Sequence, residues 1–369
     1  MKRTFSLLLT AALLVVTCAC GGETSTSSQS AAPAQSAAAA SSAPAQTEPE
    51  KLDLTLAFTG DINLDDDWYV MQYLKNSAGG KLSACIDPVL LEKMNQADLC
   101  CINNEFTLSD RGEKLAGKAY TFRAKPQNVS YLKEMGADLV TLANNHIYDY
   151  GKDAFNDTLD NLSKAGIDYV GAGRNKAEAA KPLVYDLNGL KVAYVNATRA
   201  ELTLYTPDAG ENSPGVLSCY DPAQFEKVIA QAKRQADLVV CGVHWGIEYS
   251  YELEQVQKDT ARAYIDAGAD VIVGTHSHCL QGIEYYKGAP IFYNLGNFWF
   301  NEKDLLTCLL ELRVTGTKED WKLNATVVPA RQAGCVTKYL TDGSSVYNLL
   351  ESISVNAGIK PDGTVYEKK

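Results

Sequence analysis

The stretch Gly268-Ala-Asp-Val-Ile-Val-Gly-Thr-His-Ser-His278 runs from a helix end through a short apolar strand into a histidine-rich turn. Three other segments repeat this order of Ala-Asp, apolar run and polar cluster, and they begin at Ala97, Ala137 and Ala236. A fifth strand, Leu52 to Phe58, comes first and ends at Gly60-Asp61. Apolar runs this short are typical of strands buried on both faces of a parallel sheet.

A helical stretch precedes each of the four Ala-Asp segments. The predicted helices are Val89 to Gln96, Val129 to Met135, Gln224 to Arg234 and Thr260 to Ala267. Gly136 and Gly268 fit the position just after a helix end, and the aspartate is expected to bond local backbone amides as the strand opens. Alternating helix and strand predicts a layered α/β domain with right-handed crossovers.

The pattern changes after Gly171. Leu183 to Val195 reads as a hairpin with Asn188-Gly189 in a type I′ turn. Further strands are predicted at Pro290 to Leu295, Leu305 to Val314 and Trp321 to Val328. A second, partly antiparallel sheet follows from these, and two sheets with helices outside predict a four-layer α/β/β/α sandwich. The segment from Arg199 to Pro214 is expected to form a long loop near the site.

Polar clusters follow the predicted strands, and all four histidines of the chain lie in them. In α/β sheets ligands bind at the carboxyl ends of the strands, so one edge should collect these side chains. They are Asp61, Asn63, Asn104, Glu105, Asn145, His146, His244, His276 and His278. Mixed oxygen and nitrogen donors suit manganese, iron or zinc, and two metal ions need about this many ligands. His146 is the natural proton donor to a leaving group.

Each motif has a structural alternative when taken alone. Gly60-Asp61 and Gly296-Asn297 could be turns, and Asn104-Glu105 could be a polar cap on a strand. His244 could be a buried histidine whose hydrogen bonds are satisfied beside Trp245. His276-x-His278 is the strongest single motif, because on extended backbone the two rings face the same side, as a chelating pair requires. The combination of motifs favours the metal-site interpretation.

The N-terminal residues resemble a targeting segment. Lys2 and Arg3 precede an apolar run from Phe5 to Val16, and Val-Thr-Cys-Ala-Cys-Gly-Gly follows. This order predicts a lipoprotein signal peptide over residues 1–20 with Cys20, or else Cys18, as the lipidated residue; an ordinary cleaved signal peptide is the alternative. The chain is then expected to be exported and lipid-anchored to the outer face of the cell membrane.

Residues 21–51 are rich in Ser, Ala and Pro and lack the apolar side chains that a core needs. They predict a disordered tether that reaches about 30 Å. Residues 52–369 form the expected folded domain, with its motifs between residues 52 and 300.

The chain has 34 basic and 45 acidic residues, a net charge of −11, and no basic stripe. This balance argues against nucleic-acid binding and against docking on anionic lipid through charge. Eight cysteines lie after the lipidation site and none forms a Cys-x-x-Cys pair, so the sequence does not support a zinc knuckle.

Taken together, the motifs resemble the CapA family of bacterial capsule and poly-γ-glutamate synthesis, itself similar to calcineurin-like metallophosphoesterases. The motifs that carry the resemblance are Phe-Thr-Gly-Asp61, Asn104-Glu105, Ala-Asn-Asn145-His146 with Asp149-Tyr-Gly, His244-Trp-Gly-x-Glu248-Tyr, Gly-x-His276-x-His278 and Tyr-Asn-Leu-Gly296-Asn297-Phe298.

This resemblance implies a role for each matched position. The implied metal ligands are Asp61, Asn63, Glu105, Asn145, His244, His276 and His278. His146 matches the proton-donating histidine with Asp149 beside it, and Asn104, Glu248 and Asn297 are expected near the site. Two positions depart from the wider superfamily, because Asn63 stands where its first motif has histidine and Glu105 where its second has aspartate. One or two divalent ions are therefore expected.

The function implied is that of an envelope lipoprotein of poly-γ-glutamate or capsule synthesis with a metal-dependent hydrolase or transferase site. The expected partners are poly-γ-glutamate or another envelope polymer, membrane proteins of capsule synthesis, and the membrane itself through the lipid anchor. One alternative is an envelope metallophosphoesterase with another substrate. A second is a non-catalytic accessory protein that binds polymer or partner proteins.

Overall fold

The computed structural model describes residues 51–201 and 204–369. The predicted signal peptide, the lipidation site at Cys20 or Cys18 and almost all of the predicted tether fall on residues 1–50, outside the described residues. Within the described ranges, no helix is both long and apolar enough to cross a membrane. The eight cysteines there are buried and free.

Twenty strands and eight α-helices make up the described fold. The strands are β1 (Leu52–Ile62), β2 (Leu99–Asn104), β3 (Thr107–Leu108), β4 (Arg123–Ala124), β5 (Leu139–Thr141), β6 (Asp168–Val170), β7 (Ala172–Gly173), β8 (Leu183–Leu187), β9 (Leu190–Thr198), β10 (Gly215–Val216), β11 (Leu238–Trp245), β12 (Val271–His276), β13 (Leu280–Tyr286), β14 (Ala289–Leu295), β15 (Asn297–Trp299), β16 (Leu305–Gly316), β17 (Trp321–Ala333), β18 (Val336–Tyr339), β19 (Ala357–Ile359) and β20 (Val365–Glu367). The helices are α1 (Tyr69–Asn76), α2 (Pro88–Gln96), α3 (Val129–Glu134), α4 (Gly151–Ala165), α5 (Lys176–Ala179), α6 (Pro222–Lys233), α7 (Gln255–Asp266) and α8 (Ser344–Ile353).

Two large sheets carry the fold. The first has the order β18-β17-β16-β1-β2-β5-β6, with β15 also paired to β1, and the second has the order β13-β14-β12-β11-β9-β8. In the first sheet β1, β2, β5 and β6 run parallel, as β9, β11, β12 and β14 do in the second. Antiparallel strands complete both sheets, and those of the second are β8 and β13. The strands predicted at Leu305 to Val314 and Trp321 to Val328 were expected in the second sheet, but as β16 and β17 they lie in the first, because β16 pairs with β1.

Three apolar layers separate the sheets and helices. Leu56 on β1 and Val240 on β11 belong to a core between the two sheets. The other face of the first sheet packs on helices through residues such as Phe155, and the other face of the second does so through Phe225. The predicted four-layer α/β/β/α sandwich is therefore confirmed.

The aspartates that open the parallel strands bond the neighbouring strand, so the predicted bonds to local amides are wrong. In each case a carboxylate oxygen accepts from a backbone N–H, with N···O distances of 2.7–2.9 Å: Asp98 from Thr55, Asp138 from Cys100, Asp237 from Lys191 and Asp270 from Val239. Each aspartate N–H also donates to the carbonyl of that same neighbour. Each capped amide lies one residue before the first paired residue of its parallel ladder, where the ladder supplies no acceptor.

The predicted hairpin agrees with the structure in detail. Asn188 and Gly189 have φ values of 53° and 85°, and a type I′ turn requires positive φ at both. Gly136 and Gly268 likewise have positive φ just after α3 and α7, where a helix commonly ends in a left-handed residue.

Candidate metal centre

The carboxyl ends of the parallel strands of both sheets meet at one edge. The backbone N–H of His276, at the end of β12, lies 3.2 Å from Oδ1 of Asp61, near the end of β1 in the other sheet. Three further predicted ligands follow β2, follow β5 or lie at the end of β11. They are Glu105, Asn145 and His244, and all are buried. The convergence that the topology predicted is therefore present.

Two groups of ligand atoms form at this edge, and they share one carboxylate. Glu105, His244 and His276 each offer a ligand atom within 4.8 Å of the others, and so do Asp61, Glu105 and His278. Because Glu105 belongs to both groups, it would be a ligand of an ion held by either group. Asn145 adjoins the first group, since its Oδ1 lies 2.8 Å from Nε2 of His244.

The unpaired atoms of the site fit a divalent cation. Within the described residues, Oε1 of Glu105 and Nδ1 of His276 are buried without a hydrogen-bond partner. Oε1 of Glu105 lies 3.6 Å from Nε2 of His244, too far for a hydrogen bond. Buried polar atoms are normally satisfied, so unpaired carboxylate and imidazole atoms facing one another indicate a place for a cation.

His276 and His278 do not form the chelating pair that extended backbone predicted. Their φ values are 99° and 58°, so the chain turns sharply where β12 ends. The rings lie 6.2 Å apart between centroids, and each belongs to a different ligand group. Left-handed backbone at residues other than glycine is strained and clusters at functional sites. The sharp turn at these residues directs His276 to one ligand group and His278 to the other.

The protonation of the site follows from its burial. Burial, and then the nearby His276, lowers the pKa of His244 well below the ordinary histidine value, and burial and His278 do the same for His276. Both rings are thus neutral near pH 7, which is the form in which imidazole binds a metal ion. Burial, and then Asp61, raises the pKa of Glu105 well above its usual range. A bound cation would offset both effects on that carboxyl.

Amide side chains hold two of the ligands in place. Nδ2 of Asn103 donates to Oδ1 of Asp61 at 2.7 Å, and Oδ1 of Asn103 accepts from Thr141 at 3.0 Å. Oδ1 of Asn297 lies 2.8 Å from Nδ1 of His278. Asn297 was predicted near the site. Asn103 was missed, although it immediately precedes the predicted Asn104-Glu105 pair on β2.

His146 and Asp149 form a buried dyad beside the ligand groups. Nδ1 of His146 lies 2.7 Å from Oδ2 of Asp149, which also accepts from the backbone N–H of Phe122 at 2.8 Å. Because the carboxylate is an acceptor, Nδ1 carries a proton and Nε2 is the atom left for chemistry. Nε2 lies 4.0 Å from Oε1 of Glu105, so it faces the ligand groups.

Lys118 is a buried cation that sequence reasoning missed. Its side chain is 2% exposed and its Nζ lies 2.8 Å from Oδ1 of Asp149 and 3.2 Å from Oε2 of Glu201. Nζ also donates to the backbone oxygen of Asn145, which accepts from Thr206 at 2.8 Å as well. The predicted long loop, which contains Glu201 and Thr206, is therefore near the site. Lys118 lies between β3 and β4, outside every strand-end cluster, so no motif marked it.

Three predicted residues lie at the margin of the site. Oδ1 of Asn63 accepts from the backbone N–H of Asp65 at 2.8 Å, which commits that oxygen to a turn. Nδ2 of Asn104 donates to the carbonyl of Phe106 and supports the loop after β2. Glu248 is exposed and lines a cavity of about 200 Å³ whose wall includes His146 and His278.

Comparisons with known proteins point to one family. Residues 55–328 match the family described as bacterial capsule synthesis protein PGA_cap. The chain is 34% identical over 271 residues to the PGA biosynthesis protein CapA of Bacillus subtilis, covering 72% of this chain and 69% of that protein. It is 36% identical over 260 residues to the capsule biosynthesis protein CapA of Bacillus anthracis, covering 68% of this chain and 58% of that protein.

Solved structures resemble the chain more distantly. The NAD nucleotidase NadN of Haemophilus influenzae superposes with a TM-score of 0.40 and 13% identity, covering 83% of this chain and 57% of that one. The sulfate thiohydrolase SoxB of Thermus thermophilus gives a TM-score of 0.43 and 14% identity, covering 76% and 57%. The family match and the curated relatives confirm the resemblance seen in the motifs: the chain belongs to the bacterial capsule synthesis protein PGA_cap family.

Proposed function

We propose that this chain is a metal-dependent hydrolase or transferase of poly-γ-glutamate or capsule synthesis. Its Bacillus relatives are named for PGA biosynthesis and capsule biosynthesis, which supports the pathway. The observation that supports a reaction is the geometry of Glu105, which belongs to two ligand groups and lies 4.0 Å from Nε2 of His146. A binding module would not need a proton donor at that position.

One set of residues would hold the metal ions. Asp61, Glu105, His244, His276 and His278, with Asn145 beside them, would hold one or two divalent ions; manganese, iron and zinc all suit these mixed donors. Such an ion would act as a Lewis acid toward a phosphoryl or carbonyl oxygen.

His146 supplies the proton for the leaving group. When protonated, it gives the proton from Nε2 while Asp149 keeps its hydrogen bond to Nδ1–H. Asp149 thus fixes the orientation of the ring, and the buried Lys118 balances the charge of Asp149.

We propose the cellular location on sequence grounds alone. Cys20, or else Cys18, would carry a lipid after export, and residues 21–51 would tether the folded domain to the outer face of the cell membrane. This placement would bring the site to an envelope polymer as it is made or attached.

Turnover by full-length protein loaded with manganese tests the enzyme proposal. We expect hydrolysis of bis(p-nitrophenyl) phosphate or cleavage of a γ-glutamyl oligomer, and a fall in kcat of about 100-fold or more in His146→Ala with metal content unchanged. Cleavage of the oligomer supports the capsule reaction, whereas cleavage of the phosphodiester alone favours a metallophosphoesterase with another substrate. No turnover of either by metal-loaded protein would contradict the proposal and favour a non-catalytic accessory protein.

A further inference from the structure

An aromatic cleft adjoins the metal centre. The cavity of about 200 Å³ that reaches His146 and His278 is walled by six aromatic side chains. They are Trp68, Tyr69, Tyr120, Phe122, Tyr249 and Phe300. Three of these are substantially exposed, namely Tyr69, Tyr249 and, at 60%, Tyr120. Pockets with aromatic walls and a few polar groups are where small ligands or parts of substrates bind.

The rings of this cleft meet edge to face. Trp68 is inclined 78° to Tyr120 and 62° to Phe122, and Phe122 is inclined 89° to Phe300. A flat nucleobase is held best between parallel faces, which these three contacts do not provide. A bowl of inclined rings offers its faces and edges to a puckered ring, whose C–H groups project in several directions.

The charged groups of the cleft favour a neutral ligand that donates hydrogen bonds. Its acidic and basic wall residues are two glutamates, Glu248 and Glu302, and one lysine, Lys303. The Lys303 ammonium lies 3.5 Å from the centroid of the Tyr249 ring, so its charge is directed at that ring. On the side away from the proposed metal ions, two carboxylates against one lysine disfavour the anionic part of a polymer such as poly-γ-glutamate, and they accept hydrogen bonds from hydroxyl groups.

We propose that this aromatic cleft binds a neutral, hydroxyl-rich sugar ring on the leaving-group side of the bond that the metal centre breaks. The assignment to the leaving group rests on the proposed function, because it follows from His146 forming part of the wall. The charged portion of any polymer substrate then lies outside this cleft. The bond broken then joins the sugar to a phosphoryl or acyl group; water or an acceptor hydroxyl takes that group, and the sugar leaves with the proton that His146 gives.

Binding of neutral sugars to the full chain tests the inference. The intrinsic tryptophan fluorescence of the protein, to which Trp68 contributes, is followed on titration with triacetylchitotriose, maltotriose and cellotriose, and separately with AMP and a γ-glutamyl pentamer. We expect at least one sugar to bind, and to bind more tightly than AMP or the pentamer. Tyr120→Ala and Tyr69→Ala should each weaken it about tenfold. Tyr366→Ala, an exposed tyrosine on β20 outside the cleft, should change the affinity less than twofold.

Several results would overturn the inference: none of the three sugars binds, AMP or the pentamer binds more tightly, or both cleft variants keep the affinity of the wild type. The same titration of manganese-loaded protein, run beside the turnover assay, separates this inference from the proposed function. Metal-loaded protein that binds a sugar but turns over no substrate contradicts the enzyme proposal alone. Turnover without sugar binding contradicts the cleft assignment alone.

Discussion

Glu105 lies in both ligand groups, and its position shows how one residue can set the character of the site. Aspartate, with one methylene fewer, stands at the matching position of the wider superfamily that the motifs resemble. Here the longer side chain reaches between His244 and His276 on one side and Asp61 and His278 on the other. A single carboxylate thereby links side chains from both sheets.

Loss of the Lys118 side chain should destabilise the surroundings of the His146–Asp149 dyad. Lys118→Met removes the cation beside the buried Asp149 carboxylate, so we expect the free energy of unfolding to fall by about 3 kcal/mol. Urea denaturation measures this. The control is Lys75→Met, which breaks an ion pair with Asp66 whose lysine is 38% exposed and should cost less than about 1 kcal/mol. Equal losses in the two variants would contradict the role of Lys118.

The sequence located the candidate ligands better than it located the residues that support them. Asp61, Glu105, His244, His276 and His278 follow or end strands, and strand ends can be read from the apolar pattern. Asn103 and Lys118 act through contacts between segments 38 and 31 residues apart, which no local pattern records. The left-handed backbone at His276 and His278 was also missed, because it depends on how β12 meets the first sheet.

At the scale of secondary-structure elements, the four aspartates that open parallel strands link each strand to its neighbour. Each closes the start of one parallel strand on its neighbour, so the repeated Ala-Asp motif sets the register of both sheets. The motif was visible in the sequence. Its partner was not, because a carboxylate before a strand can bond local amides equally well.

Loss of one such aspartate should be measurable as a loss of stability. Asp270→Ala leaves the backbone N–H of Val239 without its acceptor and removes the contact with Lys233, so we expect a fall of about 1–2 kcal/mol in the free energy of unfolding. Asp259→Ala, on the exposed face of α7, is the control and should stay within about 0.5 kcal/mol of wild type. Thermal or urea unfolding measures this difference. An Asp270→Ala protein with the stability of the wild type would contradict the stabilising role of the Asp270 carboxylate.

At the scale of the whole molecule, the four-layer fold could be predicted because three independent patterns agreed. Short apolar runs, alternating helices and an Asn-Gly hairpin each indicated a part of it. The strand order could not be read from the sequence. The pairing of β1 with both β2 and β16 joins segments that are far apart in the chain, and this pairing places Asp61 at the centre of the first sheet.

The metal content of purified full-length protein tests the central claim most directly. Elemental analysis should find manganese, iron or zinc in the wild type, less in His276→Ala, and least in Glu105→Gln, because Glu105 serves both ligand groups. Glu284→Gln, which alters a buried carboxylate paired with Arg262 outside the site, should keep the wild-type content. A wild-type protein without a transition metal, or a Glu105→Gln protein that retains the full amount, would contradict the account of this site.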